Sequence, residues 1–71
     1  MSLRILVVDD ESEICRLLGE ILRDEGYSVD IAENAQQARH AYAASEYSLV
    51  LLDIWMPDTD GITLLREWSG N

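Results

Sequence analysis

Two short apolar runs end in acid. LRILVV, Leu3 to Val8, passes directly into Asp9 and Asp10, and YSLVLLDI, Tyr47 to Ile54, delivers Asp53 close to its end. A brief, nearly continuous apolar run is the pattern of a strand covered on both faces, as in a parallel sheet. Parallel neighbours cannot be joined by a tight hairpin and need long crossovers, usually helical. This pair of runs therefore restricts the chain to an α/β arrangement, provided that helices lie between.

They do. Ile14, Leu17, Leu18, Ile21 and Leu22 recur at spacings of three and four, which predicts an amphipathic helix over 12–25, with Gly26 placed to close it. YSVDIA, Tyr27 to Ala32, alternates Tyr27, Val29 and Ile31 with polar neighbours and reads as an edge strand. Asn34 suits the N-cap of a second helix over roughly 35–45, with Ala35, Ala38 and Tyr42 on one face. The run from Tyr47 is then a central, buried strand, ended by Pro57. Asp60 and Gly61 precede a third helix in which Ile62, Leu65 and Trp68 share a face. Strand and helix alternate three times through short connections, so right-handed crossovers are expected throughout a single domain spanning 1–71.

A domain of 71 residues has a marginal core without a staple, a ligand or a partner chain. Its composition, 48% hydrophobic and 27% charged, is nevertheless that of a folding chain rather than a disordered one. The net charge is −9, from 14 acids against 5 arginines with no lysine, which argues against direct contact with nucleic acid or an anionic membrane and is compatible with cations. Cys15 is the only cysteine, so it forms no internal disulfide; it reads as a partly buried helix residue in a reducing compartment. The sequence begins with a strand-like run rather than a charged leader, and no stretch reaches membrane-spanning length, so a cytoplasmic location is expected.

In open α/β sheets, ligands gather beyond the carboxyl ends of the strands where strand order reverses. If the first and third strands are neighbours, with the second outside the first, Asp9, Asp10 and Asp53 converge there. Such carboxylates repel one another, so either a proton is retained or a cation is bound. A hard divalent ion with oxygen ligands, Mg²⁺ above all, is the natural counter-ion. Taken singly, each aspartate is better explained as a turn or helix cap, and it is the constellation of three that shifts the weight to a site. For Asp58 and Asp60, in the Pro-Asp-x-Asp-Gly loop, that plainer reading is the better one.

ILVVDDE (Ile5 to Glu11) and LVLLDIWMPDTDG (Leu49 to Gly61), in this order and at this spacing, resemble the receiver domain of two-component response regulators. The segment Asp53 to Trp68 looks in particular like receivers of the nitrogen-regulation group. The resemblance implies a flavodoxin-like (CheY-like) doubly wound parallel sheet, strand order 2-1-3-4-5, of which these residues would be the amino-terminal part, its first three βα units. It makes Asp53 the phosphoacceptor, served by a sensor histidine kinase in a Mg²⁺-dependent phosphorelay reaction, and not an enzyme with turnover. Asp9 and Asp10 become the acidic pair that holds Mg²⁺ with Asp53, Trp55 contributes a backbone carbonyl, and Pro57 and Gly61 shape the loop. A full receiver adds a Ser or Thr and a Lys that respond to the phosphoryl group; neither is matched here, so the output switch is expected to be lost. Without further strands the third strand is an exposed edge, and a homodimer or higher oligomer through it is expected.

Other readings remain. An EF-hand loop would use Asp58, Asp60, Gly61 and Glu67, but its first ligand would be Met56 and a strand precedes it. DTDGIT, Asp58 to Thr63, is similar to the nucleophile loop of haloacid-dehalogenase-type phosphatases, though WMP separates it from the strand. A plain association module with a solvated acidic rim is the non-catalytic alternative. His40, beside Arg39, reads as an exposed helix residue, Trp68 as core, and Trp55 as too near the acids to be wholly buried.

Overall fold

The computed structural model describes residues 3–53 and 61–69. In chain order they form β1 (Arg4–Val8), α1 (Ser12–Asp24), β2 (Ser28–Ala32), α2 (Ala35–Ala44), β3 (Leu49–Leu52) and α3 (Gly61–Trp68). The strands make one parallel sheet in the order β2-β1-β3, with Ile5 opposite both Val29 and Leu49, and Val8 opposite both Ala32 and Leu52. Placing β1 between the other two is the arrangement on which the convergence of the acids depended. Ile54, Trp55, Pro57, Asp58 and Asp60 lie outside the described residues.

β1 supplies the core on both faces, because successive strand residues point to opposite sides. Leu6 and Val8 pack with Ala32, Ala35, Ala38 and Leu64, beneath α2 and α3. Ile5 and Val7 pack with Cys15 and Val29, beneath α1. None of these four β1 residues is more than 3% exposed. The small side chains of Ala35 and Ala38 let α2 sit close against the sheet, as its sequence predicts.

Helix ends are set by local chemistry. Gly26 has φ 95°, a left-handed conformation that glycine adopts without a Cβ penalty. Its N–H donates to the Arg23 carbonyl at 2.9 Å and that of Tyr27 to the Leu22 carbonyl at 3.1 Å, which satisfies the last carbonyls of α1. Asn34 Oδ1 accepts from the Gln37 N–H at 2.8 Å, and Gln37 Oε1 accepts in return from the Glu33 N–H at 2.8 Å, a reciprocal cap for α2.

Three expectations need correction. β3 is not a buried central strand: Leu49 is 49% exposed and Val50 to Leu52 are half-buried, because β3 has β1 on one side and no described strand on the other. On α1 the residues that reach the core are Cys15 and Gly19, flanked by half-buried Leu18 and Leu22, while Ile14, Leu17 and Ile21 are exposed. The apolar stripe is wider than a three-stranded sheet can cover. α3 packs through fully buried Leu64 and half-buried Trp68, four residues apart, rather than through Ile62 and Leu65, both of which are exposed.

Candidate metal centre

The hydrogen-bond ladder runs one residue past the strands and carries two acids with it. Asp9 N–H donates to the Ala32 carbonyl at 3.1 Å, and Asp53 N–H donates to the Val8 carbonyl at 2.9 Å. Asp9 and Asp53 are therefore fixed side by side at the carboxyl edge of the sheet, with Asp10 next along the chain. One carboxylate oxygen from each of Asp9, Asp10 and Asp53 lies within 4.8 Å of the other two. Asp9 and Asp53 are half-buried and Asp10 is exposed. A groove of about 310 Å³ opens here, walled by Val7, Val8, Leu18, Leu51 and Leu52 beside Asp9 and Asp53.

Asp9 is held on several sides. Its Oδ1 accepts the Glu11 N–H at 3.0 Å, which turns the chain from β1 into α1. Its backbone carbonyl accepts the Cys15 thiol, Sγ to O 3.1 Å. Burial pushes the Cys15 thiol up from its ordinary range, with the Asp9 charge adding to the effect, so the sulfur stays protonated and donates. Sequence reasoning placed Cys15 on a helix but missed this contact. The available signal was its position in the first turn of a helix that begins three residues after Asp9.

The donor set fits a hard divalent cation. Three carboxylate oxygens, with no sulfur or nitrogen ligand among the described residues, match the preference of Mg²⁺ for oxygen, and its charge offsets repulsion among acids held this close. Trp55, the fourth expected ligand, lies outside the described residues, as do Met56, Asp58 and Asp60 of the EF-hand alternative, which in addition follow a strand, β3. His40 is exposed on α2, as expected.

A separate polar cluster lies toward the amino ends of the strands. Asp30 Oδ2 accepts the Tyr47 hydroxyl at 2.7 Å and Arg4 Nη1 at 2.8 Å. The Tyr47 hydrogen bond foremost holds the Asp30 carboxyl below the usual range; burial opposes it, and Arg4 adds to the lowering. Burial first, then the Asp30 carboxylate, pushes the Tyr47 hydroxyl upward. The cluster joins β1, β2 and the entry to β3.

A three-stranded parallel sheet with acids at its carboxyl edge is a ligand-binding arrangement of α/β proteins, and comparison with known proteins makes it specific. The response regulator receiver domain pattern matches residues 5–70, and the chain belongs to that family. The transcriptional regulatory protein ResD of Bacillus subtilis is 48% identical over 64 residues, covering 90% of this chain and 27% of ResD. The response regulator TrrA of Thermotoga maritima, solved in complex with Mg²⁺ and BeF, superimposes with a TM-score of 0.90 at 46% identity, covering 99% of this chain and 60% of that one. TrrA has also been solved in complex with the histidine kinase ThkA, with a TM-score of 0.90 over 100% of this chain. The beryllofluoride-activated NtrC4 receiver domain dimer gives a TM-score of 0.87 at 38% identity over 96% of this chain and 56% of that one. The sheet is thus the CheY-like fold, and the chain spans under a third of ResD. No helix among the described residues is long and apolar enough to cross a membrane.

Proposed function

We propose that residues 1–71 are the amino-terminal part of a receiver that accepts a phosphoryl group on Asp53 from a sensor histidine kinase, with Mg²⁺ held by Asp9, Asp10, Asp53 and the Trp55 carbonyl. The observation that carries this reading is the convergence of the three carboxylates within 4.8 Å at the strand ends. The complexes of TrrA with Mg²⁺ and BeF and with a histidine kinase support it.

An Asp53 carboxylate oxygen forms the new bond to phosphorus as the donor's P–N or acyl P–O bond breaks, and the leaving group departs with the electron pair. Bound Mg²⁺ supplies positive charge against the phosphoryl oxygens. Asp9 and Asp10 complete the acidic pocket, and the leucine and valine walls of the groove restrict water on one side. Asp53 is consumed stoichiometrically, not turned over. A haloacid-dehalogenase-type phosphatase finds no support among these relatives, and absence of p-nitrophenyl phosphate turnover is the expected result.

We place the reaction in the cytoplasm, where a kinase of this class would supply the donor. A charge of −9 without lysine leaves contact with DNA to another part of a longer regulator. For that regulator we propose a transcriptional output, the role carried in the name of ResD. The nitrogen-regulation group suggested by Asp53 to Trp68 has the NtrC4 receiver on its side, whereas ResD, at higher identity, bears no such name.

The test is incubation with acetyl phosphate followed by intact mass spectrometry. A phosphoryl adduct that requires Mg²⁺ and disappears in Asp53→Asn is expected. Adduct formation at the parent rate in Asp53→Asn would remove Asp53 from the mechanism. We also propose that the 71-residue chain self-associates through the outer edge of β3, an apolar strand paired on one side only among the described residues.

A further inference from the structure

We infer that Cys15 is a positioning residue for the acidic pair: its thiol holds the Asp9 backbone so that Asp9 and Asp10 present their carboxylates toward Asp53. The inference rests on reading these acids as a metal centre, and it adds to that centre a residue that neither acidic motif contains.

Asp9 marks the point where β1 leaves the sheet. Its N–H is still fixed by the Ala32 carbonyl, and the ladder to β3 closes one residue earlier, at the Val8 carbonyl that accepts from Asp53. The Asp9 carbonyl is thus the first acceptor beyond the ladder on this strand, and the partner it finds is the Cys15 thiol at 3.1 Å. That contact fixes the plane of the peptide joining Asp9 to Asp10. The position of the Asp10 Cα, and hence the approach of its carboxylate, follows from that plane.

The side chain of Asp9 is constrained as well. Its Oδ1 is engaged by the Glu11 N–H, which leaves Oδ2 for a cation. Cys15 itself is 1% exposed and packed among Ile5, Val7 and Val29, so the donor stays in place and is sheltered from water. A thiol is a weak donor, but a partly buried carbonyl left without any donor is costly, and the turn would rotate to find one.

The competing explanation is that Cys15 only fills space beneath α1. Substitution separates the two roles. Cys15→Ser keeps a hydroxyl donor at the same position; Cys15→Ala and Cys15→Val remove the donor with a smaller and a larger side chain respectively, so a loss shared by both is not an effect of volume. Mg²⁺ binding is measured by titration calorimetry on the whole chain, at a temperature where thermal unfolding shows every variant folded. Asp53→Asn serves as the control for the centre itself. Groups that orient metal ligands commonly change affinity by about 10- to 100-fold, and because Cys15 acts through backbone rather than on a carboxylate, a loss of about 3- to 10-fold is expected in the Ala and Val variants. Cys15→Ser should bind within about two-fold of the parent, as its donor hydrogen-bonds at least as well.

Equal affinity in all four proteins would overturn the inference while leaving the metal centre intact. Equal loss in Ser, Ala and Val would overturn it too, in favour of packing. A parent that binds no Mg²⁺, or that binds it as tightly after Asp53→Asn, removes the centre and the role of Cys15 with it.

Discussion

At the scale of single residues, the three acids are not equivalent. Asp9 and Asp53 are pinned by sheet hydrogen bonds, whereas Asp10 lies beyond the ladder and is exposed. Its contribution is therefore mainly charge, and affinity at hard-cation sites follows ligand charge. Asp10→Asn is expected to weaken Mg²⁺ binding on the order of 10-fold. Trp55, two positions from Asp53, reports this by fluorescence in a Trp68→Phe background. Flat titrations with both Mg²⁺ and Mn²⁺, or a variant that titrates like its parent, would show that the pocket is not assembled. The second residue-scale prediction concerns Asp30. Its folded pKa is lowered, by the Tyr47 hydroxyl first and Arg4 second, so its stabilising contribution is complete above the ordinary carboxylate pKa of about 3.9 and is lost as pH falls through the lower folded value. Asp30→Asn and Tyr47→Phe should both flatten the fall of Tm below about pH 4. Tyr47 carries the opposite sign: with its pKa raised, its contribution is complete below about pH 10 and is lost as pH rises through the folded value. An unchanged acid slope in both variants would mean that the cluster does not couple folding to protons.

At the scale of elements, α3 is the piece most dependent on particular contacts. Leu64 anchors it to the sheet; beyond that, Trp68 stacks on Tyr42 with ring centroids 4.3 Å apart and planes 13° from parallel, and Glu67 accepts two hydrogen bonds from Arg39 at 2.9 and 2.7 Å. Exposed ion pairs contribute little once solvent screens them, so the stack should matter more. Aromatic pairs add about 1 kcal/mol beyond the area they bury. Tyr42→Ala is therefore expected to speed amide exchange across Gly61–Ser69 while leaving β1 protected, and Arg39→Gln should do so less. Equal effects would show that the ion pair, not the stack, fastens the helix. These contacts also mark where sequence reading stops. The helix signals of Asn34 and Gly26, the apolar runs and the order of elements are local, and each appears in the structure within a residue or two. Which face of a helix meets the sheet is not local. Trp68 meets the stacked ring of Tyr42 on α2, which Ile62 and Leu65 do not, and Cys15 and Gly19 are the part of a wide apolar stripe that a three-stranded sheet can cover. The acids were legible because two strands ended in them; for Cys15 the sequence offers only its place in the first turn of α1, since its partner is a backbone carbonyl rather than a side chain.

At the scale of the whole molecule, the open question is the outer edge of β3. Leu49–Leu52 carries no charge, proline or bulge of the kind that natural edge strands use against pairing, and among the described residues it is bonded along its inner edge only, to β1. Beside it runs an apolar groove of about 480 Å³, lined by Val50 and Leu52 from the strand, Ile62, Leu65 and Trp68 from α3, and Tyr42 from α2. A second copy related by a two-fold axis perpendicular to the sheet would set two β3 strands antiparallel and join two three-stranded sheets into one of about six strands. The same operation covers part of both grooves. Charge opposes it, since each copy carries −9, and this gives the association a signature beyond its mass. Raising ionic strength shortens the screening length from about 10 Å at 0.1 M to about 3 Å at 1 M, so pairing should tighten with salt. Light scattering over a dilution series at low and high salt is the measurement. The expected result for the 71-residue chain is a dimer mass at micromolar concentration that falls on dilution, with a higher threshold in low salt and unfolding that depends on protein concentration. Replacing Val50 with Lys is the weaker experiment, because a half-buried charge would also destabilise the protomer. A monomer mass at both salt levels, with concentration-independent unfolding, would rule out the paired edge and mean that α1 and α3 shield β3 within one chain.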